Sequence, residues 1–249
     1  LLLFGVLMMV KSFIIRIIKQ IYCQRKYKDE TGIKVKNYYD FPIFKELYSF
    51  AGWNLIGILG YLFKTQGITV VLNLFFNTVI IAAYGIANQV NSQLRLFTES
   101  MIQSLQPQIV KSEGSGDRER MVKLSLIASK FSFYLFSFLA LPLYINLEYI
   151  LNLWLVEVPE GTFYFLKLII ILSIIQQFRT GILIATHSIG KIKEYQLFNA
   201  PIQLLSLPLG YLFLYLGYPF YSIILATIFI EIIIVFFNIF FFKKLTNYS

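Results

Sequence analysis

The chain is a succession of apolar segments of bilayer length joined by short connections, and this pattern constrains its fold most strongly. A helix needs about 20 residues to cross a hydrocarbon core about 30 Å thick. Hydrophobic residues make up 57% of the chain and charged residues only 14%, a balance typical of membrane proteins. The segments have helix length and lack the alternation of barrel strands. The sequence therefore predicts an all-α integral membrane protein.

The apolar segments predict one partial and six full transmembrane helices. The partial helix covers residues 1–18, and because it begins inside an apolar stretch we expect an upstream portion to be missing. A basic loop at 19–45 then leads to a six-helix lobe at 46–242 and a tail at 243–249. The full spans are predicted at about 46–76, 79–111, 121–146, 161–187, 195–216 and 219–242. The first of these is too long for a straight crossing, which predicts a bend or break near Gly67.

Basic residues are concentrated in alternate connections. The loop at 19–45, the turn at 112–117 with its flanks, and the connection at 188–194 are basic, whereas 147–160 holds three glutamates and no Lys or Arg. The positive-inside rule places the basic connections and the tail in the cytoplasm, provided that 79–111 crosses the membrane. This topology accounts for the net charge of +9 without nucleic-acid binding.

The segment 79–111 is amphipathic. One helical face carries polar side chains every three or four residues; these are Asn88, Ser92, Arg95, Glu99, Gln103 and Gln106. The opposite face is apolar. Arg95 and Glu99 are four residues apart and are predicted to pair. Because lipid cannot surround such a helix, its polar face must line a water-filled path or contact a polar partner.

Charged residues inside the predicted spans number five positive and two negative, which favours an anionic ligand such as phosphate. The positive ones are Lys64, Arg95, Lys130, Lys167 and Arg179. Lys64 and Arg179 lack an evident local partner, which favours a cavity role for both. Glu99 and Glu231 are candidates for ion coupling, and Glu231 is otherwise an unexplained charge on an apolar helix.

Amide side chains complete the predicted substrate cavity, because they can replace water around sugar hydroxyls. The predicted cavity residues are Lys64, Arg95, Lys130, Arg179, Asn54, Gln66, Asn88, Asn91, Gln103 and Gln176. Three alternatives remain open: the polar groups hold helices together, Arg95 and Glu99 form a purely structural pair, or Lys130 extends to the membrane interface.

Catalytic motifs are scarce. The sequence has no GxxxxGK[ST] phosphate-binding loop, and His187 is its only histidine. Cys23 is its only cysteine, which excludes an internal disulfide and a cysteine metal cluster. We therefore predict neither an enzyme nor a bound metal or cofactor.

Three stretches carry a family resemblance: AAYGIANQVNSQ at 82–93, LQPQIVKSEGSGD at 105–117 and ILNLWLVEVPEG at 150–161. The region 45–242 resembles the carboxy-terminal lobe of polysaccharide-exporting flippases. These belong to the superfamily that includes multidrug and toxic-compound extruders. The resemblance implies two six-helix lobes around a central cavity with rocker-like alternating access, of which this chain supplies one lobe and the last helix of the other.

The resemblance implies movement of polyprenyl-diphosphate-linked oligosaccharide across the bacterial inner membrane for O-antigen or capsule synthesis. The expected partners are this lipid-linked substrate, membrane lipids, coupling protons or sodium ions, and other polysaccharide-assembly membrane proteins. An ion-coupled multidrug exporter of the same superfamily is the first alternative, disfavoured by the positive bias in the spans. A membrane glycan polymerase or ligase is the second, disfavoured because the longest outer loop, 147–160, is short.

Overall fold

The computed structural model describes residues 2–27 and 40–247, and these residues form α-helices joined by short connections, with no strand among them. The predicted all-α class is confirmed. The chain divides into two compact units, Leu1–Tyr48 and Ser49–Ser249.

The first unit contains helix α1 (Leu2–Lys26) and the beginning of helix α2 (Phe41–Phe75). Helix α1 continues past residue 18, so the basic stretch that was predicted as a loop from 19 onward begins as helix. Helix α1 carries Lys11, Arg16 and Lys19, and this helix is not among those that are long and apolar enough to span a membrane. The part of the predicted loop at 28–39 lies outside the described residues.

The second unit holds the rest of α2 and eight further helices. They are α3 (Thr78–Gly114), α4 (Arg118–Ile145), α5 (Leu147–Trp154), α6 (Thr162–Gln177), α7 (Thr180–Ser188), α8 (Ile192–Leu204), α9 (Ser206–Tyr215) and α10 (Ser222–Thr246). Each predicted span from residue 46 onward therefore corresponds to one helix or to a pair of consecutive helices.

Within the part of the chain that the structure describes, four helical segments are long and apolar enough to cross a membrane: α2, α4, the stretch Ile192–Tyr215 formed by α8 and α9, and α10. The pair α6 and α7 makes a fifth if its 43° bend belongs to one span. These segments are those of a membrane protein. Helix α3 has 37 residues, about 55 Å at 1.5 Å per residue, but it is too polar to meet the same criterion.

The helices of the second unit alternate in direction. Tyr84 packs on Phe165 with ring centroids 5.4 Å apart, and about three turns further along each helix Arg95 reaches Gln176, so α3 and α6 run parallel. Between them in sequence, α4 runs the opposite way. Its early residue Met121 belongs to one hydrophobic cluster with Ile109 of late α3, and its late residue Phe136 belongs to the other with Ala83 of early α3. Helix α3 is therefore antiparallel to the helix that follows it, which is the direction that a membrane-crossing helix at this position would have.

The same order continues in the remaining helices. Helix α2 runs parallel to α8 and α9, since Lys193 lies 5.9 Å from the Trp53 ring and Tyr211 lies 5.2 Å from the Phe75 ring. Such parallel neighbours require an even number of direction changes between them along the chain. Three antiparallel segments lie between them in sequence, α3, α4 and the α6–α7 pair, and these give four changes of direction. Two segments would give three changes and would make α2 antiparallel to α8 and α9.

Helix α2 passes through Gly67 without a break, so the break predicted there is wrong. The missing side chain of Gly67 instead allows close packing against α9, because a Cβ atom at this position would lie 2.6 Å from the Leu207 side chain. The break in the bundle comes between α6 and α7. There the amide of Arg179 bonds to Gln176, three residues back, and the helix changes direction.

Candidate functional site

A polar layer crosses the second unit between two hydrophobic clusters. One cluster contains the beginnings of α3, α6 and α10, with residues such as Ala83, Phe165 and Ile223. The other contains the far end of α3 and of α10, with residues such as Ile109 and Phe242. The charged side chains of α2, α3, α6–α7 and α10 meet at the level between them. Two apolar layers thus enclose the polar groups of the unit.

Glu231 lies at the centre of this layer, and none of its side chain is exposed. Its Oε1 atom is 2.8 Å from Nε of Arg179, and its Oε2 atom is 3.4 Å from Nζ of Lys64. The side-chain amide of Gln176 donates to the same Oε2 at 3.3 Å. Three donors from two parts of the chain therefore satisfy one carboxylate, as a buried charge requires.

The break between α6 and α7 falls at this arrangement. Gln176 at the end of α6 and Arg179 three residues later both reach Glu231. Lys64 approaches from α2, where it belongs to a narrow buried stripe. That stripe consists of Gly60, Lys64, Ile68 and Leu72. Lys64 is only 3% exposed, so its charge depends on Glu231 for compensation.

The network extends from Gln176 to α3. Arg95 donates from Nη1 to Oε1 of Gln176 at 3.3 Å, and its Nε lies 3.6 Å from Oε1 of Glu99. The predicted pairing of Arg95 with Glu99 is confirmed. In contrast to the buried ion pairs of Glu231, this pair is partly exposed to solvent. The exposed fraction is 33% for the Arg95 side chain and 54% for the Glu99 side chain.

A cavity of about 620 Å³ lies against this network. Helix α2 contributes Lys64 and helix α3 contributes Arg95, while α6 contributes Gln176. The other polar lining residues are Tyr61, Thr65, Tyr84, Asn88, Gln89, Asn91, Ser92, Glu99, Ser173 and Thr227. An adjoining cavity of about 160 Å³ is lined by Arg179 and shares Arg95, Glu99 and Gln176 with the first.

The structure brings most of the predicted cavity residues together. Lys64, Asn88, Asn91, Arg95 and Gln176 line the larger cavity, and Arg179 lines the smaller one. Lys64 and Arg179 have no local partner in the structure, but both pair with Glu231. Their partner is far away in sequence, so no local spacing reveals it.

Four predicted cavity residues lie outside both cavities. Gln66 is exposed on α2 and is turned away from Lys64, and Asn54 lies nearly three turns before Lys64. Gln103 is exposed one turn beyond Glu99 on α3. Lys130 is exposed on α4, a helix that contributes no residue to either cavity, and its Nζ lies 5.9 Å from the Tyr134 ring.

The charge at the site is close to balance. Three cations, Lys64, Arg95 and Arg179, face two anions, Glu99 and Glu231, which leaves a net charge of +1. The sequence count of five to two included Lys130 and Lys167, and both of these side chains are exposed outside the cavities. The site therefore keeps a positive excess, but a smaller one than the sequence count indicates.

Helix α8 carries a stripe of buried polar residues that was not predicted from the sequence. Tyr195, Gln196, Asn199 and Gln203 are buried there, at helical spacing of three and four residues. Asn238, seven residues after Glu231 on α10, is buried as well. The recurrence of polar residues at this spacing in an otherwise apolar segment was the available signal, and it marks the side of α8 that faces the bundle.

An apolar groove of about 450 Å³ lies on the other side of α3. Helix α3 contributes Val90, Leu94 and Phe97, and helix α5 contributes Leu151 and Trp154. Gln89 lines both this groove and the polar cavity. One helix thus separates a polar compartment from an apolar one, as its two faces predict.

This arrangement can hold a polar ligand with negative charge, since Arg95 offers a planar set of donors and the amides offer hydrogen bonds to hydroxyl groups. Within the described residues, no three His, Cys, Asp or Glu side chains are grouped so as to hold a metal ion. Comparisons with protein-family models, curated proteins and solved structures found no match to the chain.

Proposed function

We propose that the chain is one lobe of a flippase that moves polyprenyl-diphosphate-linked oligosaccharide across the bacterial inner membrane, for surface polysaccharide synthesis. The observation that carries the proposal is the polar cavity of about 620 Å³ inside a bundle of membrane-length helices. A charged, hydroxyl-rich head group cannot cross the hydrocarbon core without such a compartment. A transporter, rather than an enzyme, is the class that this cavity supports.

The lining chemistry suits the proposed head group. Arg95 and Lys64 supply positive charge for the diphosphate, and Asn88, Asn91 and Gln176 supply amides for the sugar hydroxyls. A volume of about 620 Å³ lies in the range of about 300–1,000 Å³ that is usual for ligand sites. The cavity of this lobe thus accommodates the diphosphate with its nearest sugars.

The apolar groove beside the cavity supports an amphipathic ligand. Because Gln89 borders both compartments, a ligand can keep its charged head in the cavity while its hydrocarbon part stays on the lipid side of α3. A free sugar phosphate has no hydrocarbon part that could bind in the groove. This pairing of compartments favours a lipid-linked cargo.

Helix α3 is proposed to cross the membrane despite its polarity. Its direction fits an alternating bundle in which α2 runs parallel to α8 and α9, and its polar face is turned toward the cavity rather than toward lipid. With α3 as a span, the lobe has six crossings, the carboxy terminus lies in the cytoplasm and every basic connection is on that side. The intact transporter is proposed to pair this lobe with a second one and to draw energy from a proton or sodium gradient.

An ion-coupled exporter of amphipathic drugs is the second candidate, and the small net charge of the site supports it. With a net charge of only +1 and the half-exposed Glu99 on its wall, the cavity can also attract a cation. The two functions predict opposite ligands. Pyrophosphate should bind in the first case and a quaternary ammonium compound in the second, as measured by titration of the protein in nanodiscs.

Substitution of Arg95 tests the flippase directly. Arg95→Ala should lower export of lipid-linked glycan about tenfold or more, because it removes a charge-assisted contact to phosphate worth about 1.5–3 kcal/mol. Arg95→Lys keeps the charge without the planar donor set and should give an intermediate defect. Export is measured as surface glycan in cells that depend on the variant, with membrane abundance determined by immunoblot.

Lys130→Ala is the matched control, since it removes a cation of the same unit that lies outside the cavities. It should leave export unchanged. The double variant Arg95→Gln with Glu99→Gln separates binding from structural pairing. If that variant exports normally, the pair is structural and the diphosphate is not held at Arg95.

A further inference from the structure

Glu231 occupies the place that a bound anion would take among the cations of the polar layer. Its two carboxylate oxygens are divided between Arg179 and Lys64, at 2.8 and 3.4 Å, and Gln176 adds a third donor. Lys64 and Gln176 also line the larger cavity, and Arg179 lines the smaller one. The carboxylate therefore sits behind the cavity walls and is bound by three residues that line the cavities.

We infer that Glu231 is a built-in competitor of the anionic ligand: it neutralises Lys64 and Arg179 in the empty site, and the ligand's phosphate must draw these cations away from it. The inference rests on the proposed function, since it concerns the regulation of the same site. Arg95 is then the cation that first meets the ligand, because it is the open one, and Lys64 and Arg179 are recruited afterwards.

The shape of the network supports this order of events. Lys64 belongs to α2, Arg179 to the break between α6 and α7, and Glu231 to α10, so Glu231 ties three separate segments together. A ligand that draws Lys64 away from Glu231 also removes the charged contact between α2 and α10. Binding of the anion and loosening of α2 are thereby linked through one carboxylate.

The competition has an energetic consequence for selectivity. A neutral or weakly charged ligand gains too little to replace a carboxylate that already has three donors. A diphosphate, which brings more than one negative charge, gains contacts with both released cations. Glu231 therefore acts as a specificity-determining residue that favours multiply charged anions, although it does not line the cavity itself.

The test compares two variants that change the net charge equally. Glu231→Gln and Glu194→Gln each remove one negative charge and keep the side-chain shape, but only the first releases Lys64 and Arg179. With the full chain in nanodiscs and inorganic pyrophosphate as the probe, Glu231→Gln should bind about tenfold or more tightly than the wild type, the equivalent of one added charge-assisted hydrogen bond. Glu194→Gln, whose carboxylate belongs to an exposed pair with Lys191 outside both cavities, should differ less than about threefold.

Two further measurements apply if Glu231→Gln is poorly stable. Pyrophosphate should raise the Tm of Glu231→Gln more than that of the wild type, because the probe supplies the missing anion. Glu231→Asp, which keeps the charge but is one methylene shorter, should bind pyrophosphate with an affinity between those of the wild type and Glu231→Gln.

The outcomes distinguish the inference from the proposed function. If the wild type binds pyrophosphate and neither Glu231 variant binds it more tightly, the competitor role of Glu231 is wrong and the anion site stands. If Glu194→Gln gains as much as Glu231→Gln, only net charge matters and the competitor role is again wrong. If pyrophosphate binds to no variant and not to the wild type, the anion site itself fails, and the proposed function fails with it.

Discussion

Replacing Glu231 with alanine is expected to lower the free energy of unfolding by about 3–5 kcal/mol, the usual cost of leaving a buried ion without its partner. Glu231 has no exposed surface, and its loss leaves Lys64, 3% exposed, and Arg179 with no anion in contact. Thermal or denaturant unfolding of the purified protein in a fixed detergent measures the change.

Two variants show whether the cost comes from the stranded charges. Glu99→Ala removes the carboxylate of an exposed pair and should cost at most about 1 kcal/mol. The triple variant Lys64→Met, Arg179→Met and Glu231→Leu removes all three charges together and should recover much of the stability, since apolar replacements of buried ion pairs are often neutral. A triple variant as unstable as Glu231→Ala would contradict this explanation.

Gly181→Ala is expected to have a comparably large effect, at or above the upper end of the range of about 1–3 kcal/mol for overpacking. A Cβ atom at Gly181 would overlap the carbonyl oxygen of Ser125 and would lie 2.9 Å from the amide nitrogen of Ser129. Both are backbone atoms of α4, so no side-chain rotation can relieve the contact. The amide of Gly181, which donates to Oγ of Ser129 at 2.9 Å, would be displaced too. Unfolding temperature and membrane abundance report the effect.

Gly52→Ala is the matched control, because Gly52 is also helical and a Cβ atom there would meet nothing within 4 Å. This variant should be neutral or slightly more stable, as alanine favours helix by about 0.5–1 kcal/mol over glycine. If Gly181→Ala unfolds at the same temperature as Gly52→Ala, α4 and α7 do not pack as closely as described.

Helical periodicity and charge at local spacing could be read from the sequence. The polar and apolar faces of α3 follow from residue spacing, and so does the pairing of Arg95 with Glu99, since four residues make about one helical turn. The apolar lengths located α4 and α10 within a few residues. Local spacing also predicted Lys64 and Arg95 as cavity residues, because a charge in an apolar segment needs a polar environment.

Long-range pairing could not be read in this way. Lys64 and Glu231 are 167 residues apart, and their contact depends on the order in which the helices pack. For the same reason Lys130 was assigned to the cavity although α4 lines neither of the two polar cavities. The break at Arg179 was missed because neither Gly nor Pro stands in the helix that precedes it.

The polar layer explains how an apolar bundle can carry charge at its centre. Each buried cation has an anion or an amide in contact, and apolar clusters close the layer on both sides. The open part of the network, Arg95 and Glu99, lies on α3 and faces the cavity. Helix α3 is therefore the central element of the proposed lobe. One face of this helix must be in contact with water inside the membrane.

Single-cysteine labelling along α3 tests this claim most directly. In a Cys23→Ser background of the full-length protein in membranes, cysteines at Asn88 and Ser92, which line the cavity, should react readily with a water-soluble maleimide. Cysteines at Leu94 and Phe97, which line the apolar groove, should react slowly although Phe97 is 59% exposed, because its surroundings are lipid. Equal reactivity of the two faces, or equal protection of both, would contradict the account.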